Sequence, residues 1–329
     1  QVLWINSEWL TALGLSIPQT TEDFYQVLCA FRDGDPNGNG LPDEIPLAGA
    51  GSDHVYEPWE FILNAYGYND PNQAEYERFV SGAQFREGLT FCRKLYEEKL
   101  LEQNVFDRKL HQLTELINSP QDLVGAFTTY SISDVIYSGN PEIMAKYMHV
   151  APLQGPSGER HAVRAKDEDA IGAIITQRSR KKQEAKLLLD TMLTEEASLI
   201  ARYGEPGVDW DYSDGQDVSI FGGVSTIVTR KYIWNTPQNK HLNGIGPMDV
   251  PEKYIRGVTW NGMNSDAEYI DARAQMSYQE FLMPQNSGQE YDAGRAAYID
   301  EYVRAFITGR KKIERDEVWK EYLDGLSLY

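Results

Sequence analysis

A chain of 329 residues, 41% hydrophobic and carrying 27 glycines, is long enough for two domains with sizeable cores. Its formal charge of −19 and pI near 4.7 argue against a nucleic-acid partner, which would want a basic stripe, and against adsorption on anionic lipid. No run approaches the length of apolar sequence that spans a membrane.

In chain order, Val2 to Ile5 reads as a short strand, after which Asn6 or Ser7 caps a brief helix through Leu13, ended by Gly14. Thr20 or Thr21 caps the next helix, with Glu22 and Asp23 in its first turn and Phe24, Val27, Leu28 and Phe31 on one face. A glycine- and carboxylate-rich loop follows, and Ile45 to Leu47 leaves it extended. Helical patterns run from Glu57, from Glu75 to Glu98 with a weak point at Gly88, and from Phe106 to Asn118. Val124 to Tyr130 reads as a strand, then short helices cover Asp134 to Tyr137 and Glu142 to His149. Residues 151–158, Ala-Pro-Leu-Gln-Gly-Pro-Ser-Gly, can only be loop or extended chain and form the expected inter-domain crossing. Beyond it come a strand over Ala170 to Thr176, helices over Gln183 to Leu193 and Glu195 to Tyr203, and loop with a short strand from Trp210 to Phe221. Gly222-Gly223 is a tight turn, and helices are expected over Met263 to Phe281, Tyr291 to Gly309 and Glu314 to Leu323. Cys29 and Cys92 fall in apolar helical patterns and read as buried free thiols.

The most informative stretch is Asp33-Gly-Asp-Pro-Asn-Gly-Asn-Gly-Leu-Pro-Asp-Glu44. Oxygen donors at alternate positions, with glycines that let the backbone turn back, suit a hard cation such as calcium. With Asp33 in position one, Asp35, Asn37, Gly38 and Glu44 fall on the EF-hand pattern. With Asp35 in position one, the donors are Asp35, Asn37, Asn39, the Leu41 carbonyl, Asp43 and Glu44. The second register spaces the donors more evenly, is stiffened by Pro36 and Pro42, frees Asp33 to cap the turn, and is preferred. The competing reading is an Asx-rich surface turn with no ion.

Zinc, nucleotide and nucleophile-elbow motifs are absent, and the five histidines form no cluster along the sequence. Aromatic residues are abundant, with 7 tryptophans and 20 tyrosines. Trp59, Trp210, Tyr212, Trp234 and Trp260 lie in or near loops beside polar residues, the pairing with which proteins hold a sugar ring by its apolar face and its hydroxyls. Each of them is individually as well explained by packing, whereas Trp4, Trp9 and Trp319 fit amphipathic patterns and belong to the core.

Leu3-Trp-Ile-Asn6 with Trp9-Leu10 and Leu13-Gly-Leu15 resembles the segment where solute-binding proteins of ABC sugar importers cross between lobes. Residues 35–46 are similar to the calcium loop of their large oligosaccharide-binding lipoprotein subfamily, which includes alginate-binding proteins. Further similarities lie in Leu100 to Asn104, Val124 to Phe127, Pro152 to Gly158, Tyr203 to Trp210 and Ile307 to Gly309, whereas Ile233 to Trp260 does not align.

The resemblance implies an α/β, helix-rich, two-lobed fold of the periplasmic-binding-protein type (type II), with the N-terminal part of one lobe missing. Both chain ends read as cut from a longer polypeptide. Residues 1–150 would be mostly one lobe, containing the loop 35–44, and residues 151–329 the crossing segment and the remainder of both lobes. It implies calcium on the six donors, an oligosaccharide in the inter-lobe cleft, and delivery to ABC transporter permease subunits, without catalysis. The place would be the outer face of a Gram-positive cell membrane, through an N-terminal lipid anchor not present in this chain, or a Gram-negative periplasm. The alternatives are a calcium-stabilised polysaccharide-degrading enzyme and a cell-surface adhesion or structural module.

Overall fold

The structure, a computed structural model, describes residues 1–53, 56–67, 78–136, 140–162, 173–219, 223–230, 247–260, 274, 278 and 293–329. The chain divides into two compact units, Gln1–Ala165 with Ser277–Tyr329, and Lys166–Met276. The 151–158 stretch lies within the first unit, tied to it by the Thr21 N–H donating to the Gln154 carbonyl at 3.0 Å.

The first unit is built on a four-stranded sheet of order β2-β3-β1-β4: β1 (Val2–Asn6), β2 (Ile45–Ala48), β3 (Val124–Thr129) and β4 (Tyr147–Val150). β1 and β3 are buried along their whole lengths, which explains their unbroken runs of apolar and small residues. β1 runs antiparallel to β3 and β4, and β2 parallel to β3, so β2, β3 and β4 all end at one edge.

Helix α1 (Ser7–Ala12) is capped by the Asn6 side chain, and α2 (Thr21–Asp33) opens with a Thr20/Asp23 capping box. α2 buries Phe24, Val27, Leu28 and Phe31 as the 3.6-residue pattern requires. It rests on Gly125 of β3, where a Cβ would stand 2.4 Å from the Phe31 ring.

α3 (Pro58–Asn64) packs against α4 (Ala83–Glu97). Gly88 is not a weak point: it lies within the continuous α4 and lets the helix close on Leu63 and Tyr66. The helix expected from Phe106 starts later, as α5 (Leu110–Ile117), because residues 103–107 form turns that carry Phe106 inward. The helix expected over Glu142 to His149 splits into α6 (Pro141–Lys146) and β4, since pairing with the buried β1 overrides the helical propensity of Met148 and His149.

In the second unit, α7 (Lys182–Met192) and α8 (Glu195–Tyr203) accompany a three-stranded sheet of β5 (Trp210–Tyr212), β6 (Ile227–Thr229) and β7 (Val258–Trp260). The short helix α9 (Glu252–Arg256) leads into β7. No strand forms over residues 173–176, and residues 170–172 lie outside those described.

The first unit is completed by α10 (Ala293–Ile307), packed on α4, and α11 (Asp316–Leu326). Phe306, Trp319 and Tyr322 make the aromatic core there, and the buried Arg93 of α4 pairs with Glu97 at 2.5 Å and Glu314 at 2.6 Å. Of the helix expected over Met263 to Phe281, only residues 274 and 278 are described, both helical. The Tyr278 hydroxyl donates to the Val150 carbonyl at 2.8 Å.

Candidate carbohydrate site and acidic loop

Parallel strands that end together leave backbone and loop groups facing outward at their carboxyl ends, where open α/β sheets bind ligands. In the first unit this edge holds Tyr56 and Glu57 from the loop after β2, and Tyr130 and Asp134 from the turn after β3. Tyr130 is 45% exposed, with its ring 6.3 Å from that of the buried Tyr56. The Ser131 N–H donates to Asp134 at 3.1 Å, and the Tyr56 hydroxyl bonds the same carboxylate.

Next to this edge lies a cavity of about 340 Å³, lined by Gly51, Ser52, Glu57, Trp59, Phe106, Asp107 and, from α10, Asp300, Glu301, Val303 and Arg304. Its wall is an aromatic stack, Trp59 on Phe106 at 4.5 Å. Gly51 is required for that approach, because a Cβ there would meet the Trp59 ring at 2.8 Å. Arg304 lies 5.5 Å above the Phe106 ring and donates to Asp107 at 2.6 Å.

Glu57 precedes Pro58 at the start of α3 and is only 8% exposed. Burial, followed by the charges of Glu60 and Asp300, pushes its carboxyl up to about 8, against the pull of the Trp59 indole bonded to it. Burial likewise raises Glu60, one helical turn on, to about 7, and Asp300 acts in the same direction. These carboxylates hold protons near neutral pH, so each can donate as well as accept a hydrogen bond.

Of the aromatic residues expected to meet a ligand, Trp59 lines this cavity. Trp210 is a packing residue in the second unit: it is 2% exposed and its indole N–H donates to the Gly204 carbonyl at 2.8 Å. Tyr212 is 60% exposed, edge-on to Trp210 at 5.1 Å. Trp260 ends β7, its side chain outside the described structure, and Trp234 lies outside the described residues. Tyr56, Tyr130, Asp134 and Asp300 were not singled out from the sequence; the available signal was that Tyr56 and Tyr130 follow the two strands adjoining in parallel.

The acidic loop lies at the other end of β2. Asp35, in the left-handed region at φ 47°, accepts the Gly40 N–H on both carboxylate oxygens at 3.1 and 3.3 Å. Gly38, at φ 69°, and Gly40, at φ 76°, both have the backbone demanded of the glycine in the sixth position, the first when Asp33 opens the loop and the second when Asp35 does. Asn37 Oδ1 takes the Asn39 N–H at 3.1 Å, and Asn39 Oδ1 the Leu41 N–H at 2.7 Å. The Asn37 and Asn39 amides donate to Asp43 at 3.3 and 3.1 Å. Asp33 does not cap the loop: it ends α2 and pairs with Arg32 at 2.7 Å.

Glu44 Oε1 is buried without a hydrogen-bond partner, and burial, with the charges of Asp43 and Asp35, raises its carboxyl. An orphaned buried carboxylate oxygen beside two other carboxylates fits a hard cation. Among the described residues no group of three or more His, Cys, Asp and Glu side chains forms a ready metal cluster, and the remaining donors of this loop are amides and a carbonyl.

No family model matches the chain. It is 34% identical over 172 residues, 49% of this chain, to the fructooligosaccharide ABC transporter substrate-binding protein FusA of Streptococcus pneumoniae. It is 27% identical over 237 residues, 66% of this chain, to the lipoprotein LipO of Bacillus subtilis. The matches span 30% and 45% of those relatives, so the chain covers less than half the length of either.

Among solved structures, an EF-hand mutant of FusA with fructo-nystose aligns over 100% of this chain and 68% of its own, at TM-score 0.68 and 21% identity. A human-milk-oligosaccharide-binding solute-binding protein of Bifidobacterium longum infantis aligns over 99% and 70%, at TM-score 0.70 and 17% identity. The alginate-binding protein AlgQ2 without calcium ion aligns over 99% and 68%, at TM-score 0.61 and 20% identity. The fold is therefore that of the solute-binding proteins, α/β and helix-rich, and the relatives include substrate-binding proteins of sugar ABC transporters.

Proposed function

We propose that this chain belongs to a capture subunit that binds an oligosaccharide outside the cell and delivers it to the permease of an ABC transporter. The observation that carries the reading is the similarity to FusA, a fructooligosaccharide receptor, over about half of the chain. The carboxyl edge of the sheet supports it. Tyr130 offers a ring face to the C–H surface of a sugar, Trp59 forms part of the aromatic lining of the neighbouring cavity, and Glu57 and Asp134 offer oxygens to sugar hydroxyls.

Calcium would be held by Asp35, Asn37, Asn39, the Leu41 carbonyl, Asp43 and Glu44. The orphaned Glu44 oxygen and the Asp35–Gly40 wrap are the supporting observations. Its contribution would be to neutralise the carboxylates and stiffen the entry to β2. No helix among the described residues is long and apolar enough to cross a membrane, and attachment would be by lipid.

One observation favours a second reading. Buried carboxylates with raised pKa values, as at Glu57 and Glu60, also serve as the acid of a glycoside hydrolase. Calorimetric titration of the calcium-loaded, full-length exported protein against an oligosaccharide panel, with reducing ends assayed in parallel, separates the two. Tight binding of one sugar class without new reducing ends is the expected result. Release of new ends would overturn it.

A further inference from the structure

Between α5 and β3 the chain bends at Asp122, whose φ of 53° lies in the left-handed region. A residue with a side chain holds that backbone only where its surroundings over-determine it. Here donors from separate elements converge on one carboxylate. The Asn6 side-chain amide, at the end of β1, donates to Oδ1 at 3.3 Å, and the Trp9 indole of α1 donates to Oδ2 at 3.3 Å. The Lys146 ammonium, at the end of α6, meets Oδ2 at 3.0 Å. Asn6 and Trp9 are buried, so the hold is on the core of the first unit.

The bend also faces the acidic loop. The Asp122 carbonyl accepts the Asn37 side-chain amide at 3.4 Å, and the next carbonyl, of Leu123, accepts the Ile45 N–H at 2.8 Å. The first contact falls on a donor of the loop and the second on the residue through which the loop enters β2. A carboxamide held by its nitrogen turns its oxygen the other way. Asn37 Nδ2 is held by Asp122 and Asp43, and its Oδ1 stays within the loop, on the Asn39 N–H.

We infer that Asp122 is a positioning residue for the ion loop: its pinned carboxylate fixes the bend whose carbonyl aims the Asn37 oxygen at the cation. The inference rests on the calcium reading proposed above and deepens it, because it places a determinant of ion affinity 85 residues along the chain from the ligand it orients. Groups that orient a metal ligand contribute about 10–100-fold to metal affinity. Asn37 is one of several donors and its amide is shared with Asp43, so the lower figure is expected.

The experiment is calorimetric titration of calcium into the full-length exported protein after EDTA treatment. Wild type is compared with Asp122→Ala, Asp122→Asn, Asn37→Ala and the Asn37→Ala/Asp122→Ala double variant, each checked by urea unfolding in EDTA. Alanine loses every anchor of the carboxylate and disfavours the left-handed backbone, so Asp122→Ala should weaken calcium about tenfold. Asparagine tolerates that backbone and keeps an oxygen for the Asn6 and Trp9 donors, so Asp122→Asn should stay within about threefold of wild type. With Asn37→Ala in place, Asp122→Ala should change calcium affinity by less than about twofold, whereas a general loosening of the fold would weaken it in both backgrounds. If Asp122→Ala does not fold in EDTA, Lys146→Met takes its place in the same cycle, with about threefold expected from loss of the partly exposed ion pair. Wild-type affinity in the Asp122→Ala variant, or in Lys146→Met where it stands in, would overturn the inference and leave calcium binding standing. An equal loss with and without Asn37 would do the same. No calcium binding by wild type would overturn the inference together with the ion site on which it rests.

Discussion

Glu57→Gln should make the protein more stable at pH 8 and change its stability much less at pH 5. In the folded protein the Glu57 carboxyl keeps its proton up to about 8, while in the unfolded chain it loses it near 4.5. Between those values the native state binds more protons than the unfolded state, so stability falls as pH rises through that window. Carrying a carboxyl from 4.5 to about 8 costs at most about 5 kcal/mol, at ~1.4 kcal/mol per pKa unit. Water in the cavity screens the charge, and proton uptake by Glu60 relieves part of the repulsion, which leaves about 2 kcal/mol. Glutamine keeps an oxygen for the Trp59 indole and removes only the charge. Urea unfolding of wild type and variant at both pH values measures the difference, which at about 2–4 °C per kcal/mol also appears as a melting shift of about 4–8 °C at pH 8. Stability curves that run parallel for the two proteins from pH 5 to pH 8 would refute the reasoning.

Removing calcium with EDTA, or substituting Glu44→Gln, should lower the melting temperature, by the equivalent of about 2.7 kcal/mol when the ion had been present at 100 times its dissociation constant; identical melting in EDTA and in calcium would mean the loop holds no ion. Tyr130→Ala should weaken oligosaccharide binding about tenfold and change stability by less than about 0.5 kcal/mol, because the ring is 45% exposed; an unchanged affinity would remove Tyr130 from the site. Gly155→Ala places a Cβ 1.5 Å from the Ala65 carbonyl oxygen, so the 151–158 stretch must lift from the turn after α3. The urea midpoint should report a loss of about 3 kcal/mol, and a loss below ~1 kcal/mol would show that the two segments separate freely.

Local signals carried far in this chain. The α2 face is written in neighbouring residues, so the sequence alone yields it and narrows the cap to Thr20 or Thr21, of which the structure uses Thr20. β4 was hidden because its pairing partner β1 lies more than a hundred residues away, and the local composition favours a continued helix. The site was hidden for the same reason. Glu57 and Trp59 stand beside each other in sequence, but their meeting with Phe106, Tyr130 and Asp300 depends on strand order and on how α10 seats against α4. Trp210 shows the opposite failure: a tryptophan flanked by two aspartates reads as a contact residue until the fold turns its ring inward.

β2 has only four residues, with the acidic loop at its entry and the loop carrying Tyr56 and Glu57 at its exit. Its register against β3 is fixed by Ile45 opposite Val124 and Leu47 opposite Ala126, and a slip by one residue would turn Leu47 from the core to the other face. The strand thus acts as a rigid tie rod about 13 Å long, and whatever steadies one end sets the position of the other. If an ion at the entry tightens sugar binding at the exit by some factor, the sugar must tighten the ion by the same factor. A receptor built this way would hold its ion most firmly when loaded and loosen it on unloading.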